Sequence, residues 1–294
     1  MRSICILLTD FNGINEKIII KSKNYLKNLK IKKIYFIGDK KKFKNIFSIF
    51  SKEKKFEFLD IRFKSNYYLY LNDILKVTLN LHRKKFIKSF INMPINKKRF
   101  FNNRFNGFTE YFSEKFYKKK AVNMLMYNEI FSVCPLTTHV QLKEVYSKIN
   151  KKILIKCIEN LTFFYEKIIK KKMKIIVLGI NPHASKDLLT KSKDNTIISP
   201  VVKYFKKKGV EIDGPISADT SFSSTKNKVY IGMYHDQVLI PFKLKNKFNG
   251  INITIGKELL RVSPDHGTGE NIKFNRLISN KSFLKCIKFC AKYA

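Results

Sequence analysis

The chain has 294 residues and a formal net charge of +38, from 60 Lys and Arg against 22 Asp and Glu; 44% of it is hydrophobic, with 26 Phe and 14 Tyr. That apolar content excludes intrinsic disorder, and the length allows a large core divided into two domains. The lysines run through the whole sequence, as Lys27, Lys54, Lys119, Lys172, Lys207 and Lys285 show, so the basicity reads as a compositional bias rather than a dedicated nucleic-acid arm.

In chain order, residues 4–8 read as a buried strand, followed by a turn at 10–13 and a helix to about residue 29. A second strand is expected at 33–37, a helix at 42–50, a third strand at 56–59, a helix at 67–81 and a strand at 86–91 ending at Met93-Pro94. The irregular stretch 102–107 is the expected domain crossing. Beyond it, strands are expected at 122–126, 130–133, 174–178, 229–233 and 251–255, with helices at 153–169 and about 197–207. Continuous β-branched runs separated by long helices argue an α/β protein with a largely parallel sheet covered on both faces.

The five cysteines (Cys5, Cys134, Cys157, Cys286, Cys290) form no C-x-x-C pair, which points to a reduced, cytoplasmic protein. The apolar run at the start is cut short by Asp10, and no run reaches the length of a bilayer span, so no membrane partner is expected.

Chemistry concentrates in a few islands. Of five histidines, three stand in Thr137-Thr138-His139, Gly179-Ile180-Asn181-Pro182-His183 and Met233-Tyr234-His235-Asp236-Gln237, and a fourth in Ser263-Pro264-Asp265-His266-Gly267-Thr268-Gly269. Each follows an expected strand, and in α/β proteins ligand-binding groups gather just past the carboxyl ends of strands. Imidazole is the commonest ligand of a transition-type divalent cation, so the group reads as parts of one site. The spacing matches no local metal motif, and the bland alternative is that each histidine hydrogen-bonds its own loop. Gly214-Pro215-Ile216-Ser217-Ala218-Asp219-Thr220 reads as a turn leading into a helix capped by Asp219. Lys243, Asn252 and Arg261 follow His235 and suit an anionic substrate. There is no G-x-G-x-x-G after the first strand and no P-loop.

Quoted together, Pro135-Leu136-Thr137-Thr138-His139-Val140-Gln141-Leu142, Gly179-Ile180-Asn181-Pro182-His183-Ala184, the 214–220 segment, Met233-Tyr234-His235-Asp236-Gln237, Gly250-Ile251-Asn252-Ile253-Thr254-Ile255-Gly256 and Arg261-Val262-Ser263-Pro264-Asp265-His266-Gly267-Thr268 resemble the 4-hydroxythreonine-4-phosphate dehydrogenase family in order and spacing. Weaker echoes reach back to 94–97 and 10–13. The resemblance implies a two-domain α/β/α fold of the isocitrate/isopropylmalate dehydrogenase type, which binds NAD without a Rossmann glycine motif. It implies an active site in the interdomain cleft at a homodimer interface. The domains expected are 1–101 plus 236–294, holding both ends of the chain, and 102–235, contributing to the dimer interface.

The resemblance further implies that His139, His183 and His235 bind a divalent metal (zinc, magnesium or cobalt), contributed across the dimer interface. Thr109, Lys243, Asn252 and Arg261 would hold the small phosphorylated substrate, and Asp265, His266, Gly267 and Thr268 would lie near NAD or NADP. The implied reaction is oxidative decarboxylation of 4-phosphooxy-L-threonine to 3-amino-2-oxopropyl phosphate in pyridoxal phosphate biosynthesis. Asp219, Asp236 and Lys97 are candidate proton acceptors. The chain departs from the family at Phe108, where the family has His; at Asn96-Lys97, where it has His-Lys; and at Ser185-Lys186-Asp187-Leu188, where it is glycine-rich. It also departs at 271–276, and the N-terminal glycine turn is reduced to Asp10, Gly13 and Ile14. Rival expectations are a dehydrogenase of another phosphorylated hydroxy acid such as phosphothreonate, a basic nucleic-acid-binding protein on the same fold, and a decayed, inactive relative.

Overall fold

A computed structural model of the chain describes residues 3–116, 122–187, 191–247, 249–256, 259–270, 272 and 278–293. The departures at Leu188 and over most of 271–276 lie outside them. The strands are β1 (Ser3–Leu8), β2 (Lys33–Gly38), β3 (Phe56–Asp60), β4 (Ser89–Asn92), β5 (Asn123–Tyr127), β6 (Phe131–Pro135), β7 (Lys174–Leu178), β8 (Ile212–Ile216), β9 (Lys228–Gly232), β10 (Ile251–Ile255) and β11 (Leu260–Pro264). The fold is mixed α/β, as expected.

The chain divides into two compact units. The first takes Met1–Phe108, Phe248–Asn252 and Glu258–Ala294; the second takes Thr109–Lys247 and Ile253–Lys257. The helix His235–Asn246 belongs to the second unit, packed on β6 and β9, whereas the sequence expectation put it in the first. The crossing falls just past the irregular stretch 102–107.

In the first unit, strands follow the order β3-β2-β1-β4-β11, every neighbouring pair parallel. Ile4, Cys5, Ile6 and Leu7 are wholly buried, the continuous pattern that covering both faces of a parallel sheet demands. The helix Tyr67–Arg83 is started by Asn66, whose side chain accepts from the backbone N–H of Leu69 at 3.0 Å. It buries Tyr70, Leu71, Ile74, Leu75 and Thr78 at helical spacing. The Tyr70 hydroxyl donates to the Leu8 carbonyl and accepts from Asp39 N–H, both at 2.8 Å, pinning the carboxyl ends of β1 and β2 where a loop-borne site would form. Asp39 is itself buried, yet its carboxyl is held below the usual range because the N–H groups of Phe63, Lys42 and Lys41 outweigh desolvation.

In the second unit the order is β5-β6-β9-β7-β8, with β5 antiparallel to β6 and the remaining pairs parallel. Its core joins Met124, Met126, Phe131, Val133, Leu178 and Tyr230 to Val238 and Phe242 of the His235–Asn246 helix. The expected helix over 153–169 forms as an α-helix at Lys151–Phe163 that widens into a π-helical stretch at Phe164–Ile169.

One local expectation is overturned. The 214–220 segment does not open a helix: Gly214, Pro215 and Ile216 complete β8, and 217–222 are irregular turns. Glycine is needed at 214 because a Cβ there would come within 2.6 Å of the Val177 carbonyl on β7, so the residue serves strand pairing rather than capping. Helices at Lys97–Phe101, Phe108–Phe116, Leu142–Lys148 and Lys281–Tyr293 were not anticipated. All five cysteines are free and buried, with the Cys134 and Cys157 sulfurs 3.5 Å apart. No helix among the described residues is long and apolar enough to cross a membrane.

Candidate functional site

Three parallel neighbours of the second unit, β6, β9 and β7, each end in a histidine island. His139 follows β6, His235 opens the helix after β9, and His183 follows β7. Parallel neighbours end on the same side, so strand order delivers all three loops to one edge. His139 and His235 approach each other, with ring centroids 6.0 Å apart.

Each of these two imidazoles is oriented by a carboxylate. His139 Nδ1 is 3.0 Å from Glu110 Oε1, and His235 Nδ1 is 2.6 Å from Asp236 Oδ1. An ionised carboxylate only accepts, so Nδ1 carries the proton and Nε2 the lone pair. That tautomer is the one in which carboxylate-backed histidines bind metals. Burial favours the neutral acid at Glu110, but the His139 ring and the Thr138 hydroxyl, which donates at 2.7 Å, bring its carboxyl down to about 2. A cavity of about 370 Å³ lies beside it, with Thr109, Glu110, Pro135, Leu136 and Thr138 in its wall. Thr109 is buried, its hydroxyl 3.4 Å from that of Thr254.

His183 stands differently. It acts on Asp219, whose carboxyl is held low by the Ser217 hydroxyl first and by His183 in smaller part. Asp219 accepts from Ser217 at 2.6 Å and from the Thr220 N–H at 2.9 Å. Among the described residues, no three His, Cys, Asp or Glu side chains converge closely enough to hold a metal ion. The donors suit a divalent cation in residue type, and His139 and His235 stand side by side in the matching tautomer, but the three rings do not close around one point within this chain.

Backbone strain marks the same loops. His139, His183, Ala184 and Ser185 have φ of 39°, 51°, 54° and 57°, left-handed values that side-chain-bearing residues rarely take. Such residues cost about 1–3 kcal/mol each and persist only where surroundings over-determine them. The surroundings here are specific. Buried Asp194 accepts from the N–H groups of Ile180 (2.8 Å) and Asn181 (3.3 Å), the Asn181 amide (2.8 Å) and the Ser185 hydroxyl (2.6 Å). A Cβ at Gly179 would meet Ala184 at 2.7 Å, so the turn closes only over glycine.

The remaining predicted site residues divide between the units. Lys243 is exposed on the His235–Asn246 helix of the second unit, and Asp236 is occupied by His235. Lys97, Asn252, Arg261 and the 265–268 loop belong to the first unit. Arg261 is buried on β11; its Nε donates to the Asn92 carboxamide, and its guanidinium lies 4.6 Å from the ring centre of Phe108. The aromatic face that replaces the family's histidine thus acts as a cation–π platform.

The 265–268 loop follows β11 and rests on the reduced N-terminal turn. Ile14 N–H donates to the Thr268 carbonyl at 3.0 Å, and a Cβ at Gly13 would lie 2.4 Å from that oxygen, which is why the glycine survives there. Buried Asp10 accepts from Asn96 N–H at 2.9 Å and Arg99 Nη1 at 3.3 Å, while Arg99 Nη2 reaches Glu270 at 2.9 Å. His266 turns Nδ1 to the Gly267 carbonyl at 2.8 Å; its Nε2 is buried without a hydrogen bond, and desolvation lowers its basicity.

The sequence reading missed Glu110, Asp194, Gln237, Asn92, Arg99 and Glu270 as site-builders. Gln237 sits inside a quoted island without a role, and Glu110 directly follows Thr109. Asp194 offered one signal, a carboxylate directly after Lys191-Ser192-Lys193 in a stretch that has little reason to spend one.

Comparison with known proteins gives the family and the fold. The family model for pyridoxal phosphate biosynthetic protein PdxA matches residues 15–290. A 4-hydroxythreonine-4-phosphate dehydrogenase from Sulfurihydrogenibium sp. is 32% identical over 98% of this chain and 97% of its own length. A D-threonate 4-phosphate dehydrogenase from Pectobacterium atrosepticum is 30% identical over 68% of this chain and 64% of its own. The crystal structure of a 4-hydroxythreonine-4-phosphate dehydrogenase from Klebsiella pneumoniae shares the fold with a TM-score of 0.81, at 23% identity over 99% of this chain and 98% of that one. The fold likeness extends to isocitrate dehydrogenase of Methylococcus capsulatus, at a TM-score of 0.52 and 10% identity over 97% of this chain and 84% of the other. The three histidine loops, the glycine-dependent turns and a match spanning nearly the whole chain lead to one statement: this chain belongs to the PdxA family of pyridoxal phosphate biosynthetic proteins.

Proposed function

We propose that the protein is a 4-hydroxythreonine-4-phosphate dehydrogenase, oxidising and decarboxylating 4-phosphooxy-L-threonine to 3-amino-2-oxopropyl phosphate with NAD or NADP and a divalent cation. The observation that carries the reading is the delivery of three histidine loops to one edge by adjacent parallel strands, in a chain of this family. His139, His183 and His235 would hold the cation, whether zinc, magnesium or cobalt. When bound, the cation supplies Lewis acidity to the substrate's hydroxyl and later ketone oxygen, and the nicotinamide supplies the hydride acceptor.

The chain's own residues do the rest. Glu110 and Asp236 keep His139 and His235 in the tautomer with Nε2 unprotonated. Arg261, fixed by Asn92 and Phe108, and Lys243 neutralise the phosphate, with Thr109 and Asn252 as polar contacts. Asp265, His266, Gly267 and Thr268 form the cofactor loop, held by Arg99 and Glu270; His266 there is kept neutral by burial. Asp219, Asp236 and Lys97 stand as the candidate proton acceptors, with Asp219 and Asp236 each making a hydrogen bond of 2.6 Å.

A homodimer is part of the proposal. The helix after His139 exposes Leu142 and Tyr146, and the helix that His235 opens exposes Ile240 and Leu244, two apolar i,i+4 pairs that a second copy would cover. The deciding experiment is NAD(P)H formation from 4-phosphooxy-L-threonine, with and without chelator. Chelator-sensitive absorbance supports the reading; a silent assay at saturating metal and cofactor overturns it. The phosphothreonate reading is favoured by Phe108 and by the Pectobacterium relative, and the same assay with D-threonate 4-phosphate separates the two.

A further inference from the structure

We infer that Gln237 is a positioning residue whose carboxamide holds the loops carrying His183 and His235 in register, so that a cation meets imidazoles already in place. The inference rests on the metal-site reading above. Gln237 Oε1 accepts from the Met233 N–H and its Nε2 donates to the Gly179 carbonyl, both at 2.7 Å. The partners have opposite polarity, which leaves one orientation for the amide. One side chain thereby joins the start of the His183 loop to the residue two before His235. The third loop is tied to the same peptide: the Met233 carbonyl accepts from the Thr137 hydroxyl at 2.7 Å and the Thr137 N–H at 3.3 Å, two residues before His139.

The His183 loop is therefore gripped at both ends, by Gln237 at Gly179 and by Asp194 from Ile180 to Ser185. Three left-handed residues between these grips would relax to commoner conformations if one let go. Only a carboxamide of this length makes both bonds. A carboxylate lacks the donor, and Asn is one methylene short. A Cβ at Gly232 would come within 3.2 Å of Gln237 Oε1, so the clamp is also closely walled.

The test is Gln237→Glu, which keeps size and the acceptor for Met233 N–H but sets a carboxylate oxygen against the Gly179 carbonyl. Metal-free wild type and variant are compared by hydrogen–deuterium exchange, then titrated with cobalt(II) and followed by visible absorption. We expect the amides of Ile180, Asn181 and residues 183–185 to exchange about tenfold faster, as losing ~1.4 kcal/mol of local stability would allow. The cobalt dissociation constant should rise about 10–100-fold, with an altered band envelope and unchanged circular dichroism. Wild-type exchange in the variant overturns the assignment; so does faster exchange with cobalt affinity and spectrum unchanged. If wild type binds no cobalt, the metal-site reading fails first and the positioning role falls with it. Should Gln237→Glu fail to fold, Gln237→Met, which loses both bonds without adding charge, carries the same readouts.

Discussion

The two units secure their functional loops by different means. In the first, the loop after β11 is tied to the N-terminal turn partly by the Ile14–Thr268 backbone hydrogen bond and partly by charge: Asp10, Arg99 and Glu270 form a chain of ion pairs, with Arg99 and Glu270 partly open to solvent. In the second, the histidine loops are joined by Gln237, Thr137 and backbone amides, with Asp194 accepting from neutral donors. The first arrangement is exposed to salt screening, which would suit the exchange of a charged cofactor under the proposed function. The second depends less on ionic strength, which would suit the metal ligands proposed above. Left-handed side-chain-bearing residues occur in both units, among them Ser65, Lys85, Asn102 and Asn103 in the first and His139, His183, Ala184 and Ser185 in the second; these last four fall within the histidine loops themselves.

Substitutions can break or sharpen this contrast. The largest effect is expected from His183→Ala, which should remove the divalent metal and lower turnover by about 10²–10³-fold or more, with the oligomeric state unchanged; elemental analysis and sedimentation check it, and unchanged metal content would refute the ligand assignment. Next, Arg261→Lys keeps the charge but loses the planar fork and its seat on Phe108, so KM for the phosphorylated substrate should rise about 10–100-fold. Glu110→Gln replaces an acceptor-only carboxylate with a neutral amide that can also turn a donor to the ring, so it loosens the hold on the His139 tautomer and should weaken metal affinity by a similar factor. Steady-state kinetics of Glu270→Gln should show only about a threefold to tenfold rise in KM for the nicotinamide cofactor, with wild type converging on the variant as ionic strength rises.

The smallest effect concerns acid stability of the first unit. The Asp39 carboxyl is held below its ordinary 3.8, so its contribution is present above that value and is lost as pH falls through the lowered one. Asp39→Asn should therefore be less stable than wild type near neutral pH, by about 2–4 °C in Tm, and the gap should close below pH 4. A gap that widens on acidification would show that the carboxylate is not what the backbone N–H groups hold.

Much of this architecture is legible along the chain. The wholly buried Ile4–Leu7 run, the Asn66-capped helix and the histidine islands after β6, β7 and β9 are local patterns, set by β-branched content and by Pro and Gly punctuation. The 214–220 segment misleads because its Gly and Pro look like a turn, while the glycine answers to Val177 on another strand. The short helix Leu142–Lys148 and the helix His235–Asn246 show weak periodic patterns, the latter with Pro241 inside it.

The sequence alone determined the strand-forming runs, the supply of imidazoles, and the family resemblance carried by six ordered islands. The tertiary structure alone decided which residues support them. Gln237 meets Gly179 across 58 positions, Glu110 meets His139 across 29 and Asp194 meets Ile180 across 14. The first of these meetings follows from the adjacency of β9 and β7, and strand order is set by how whole faces bury against one another rather than by any neighbouring residues in the chain.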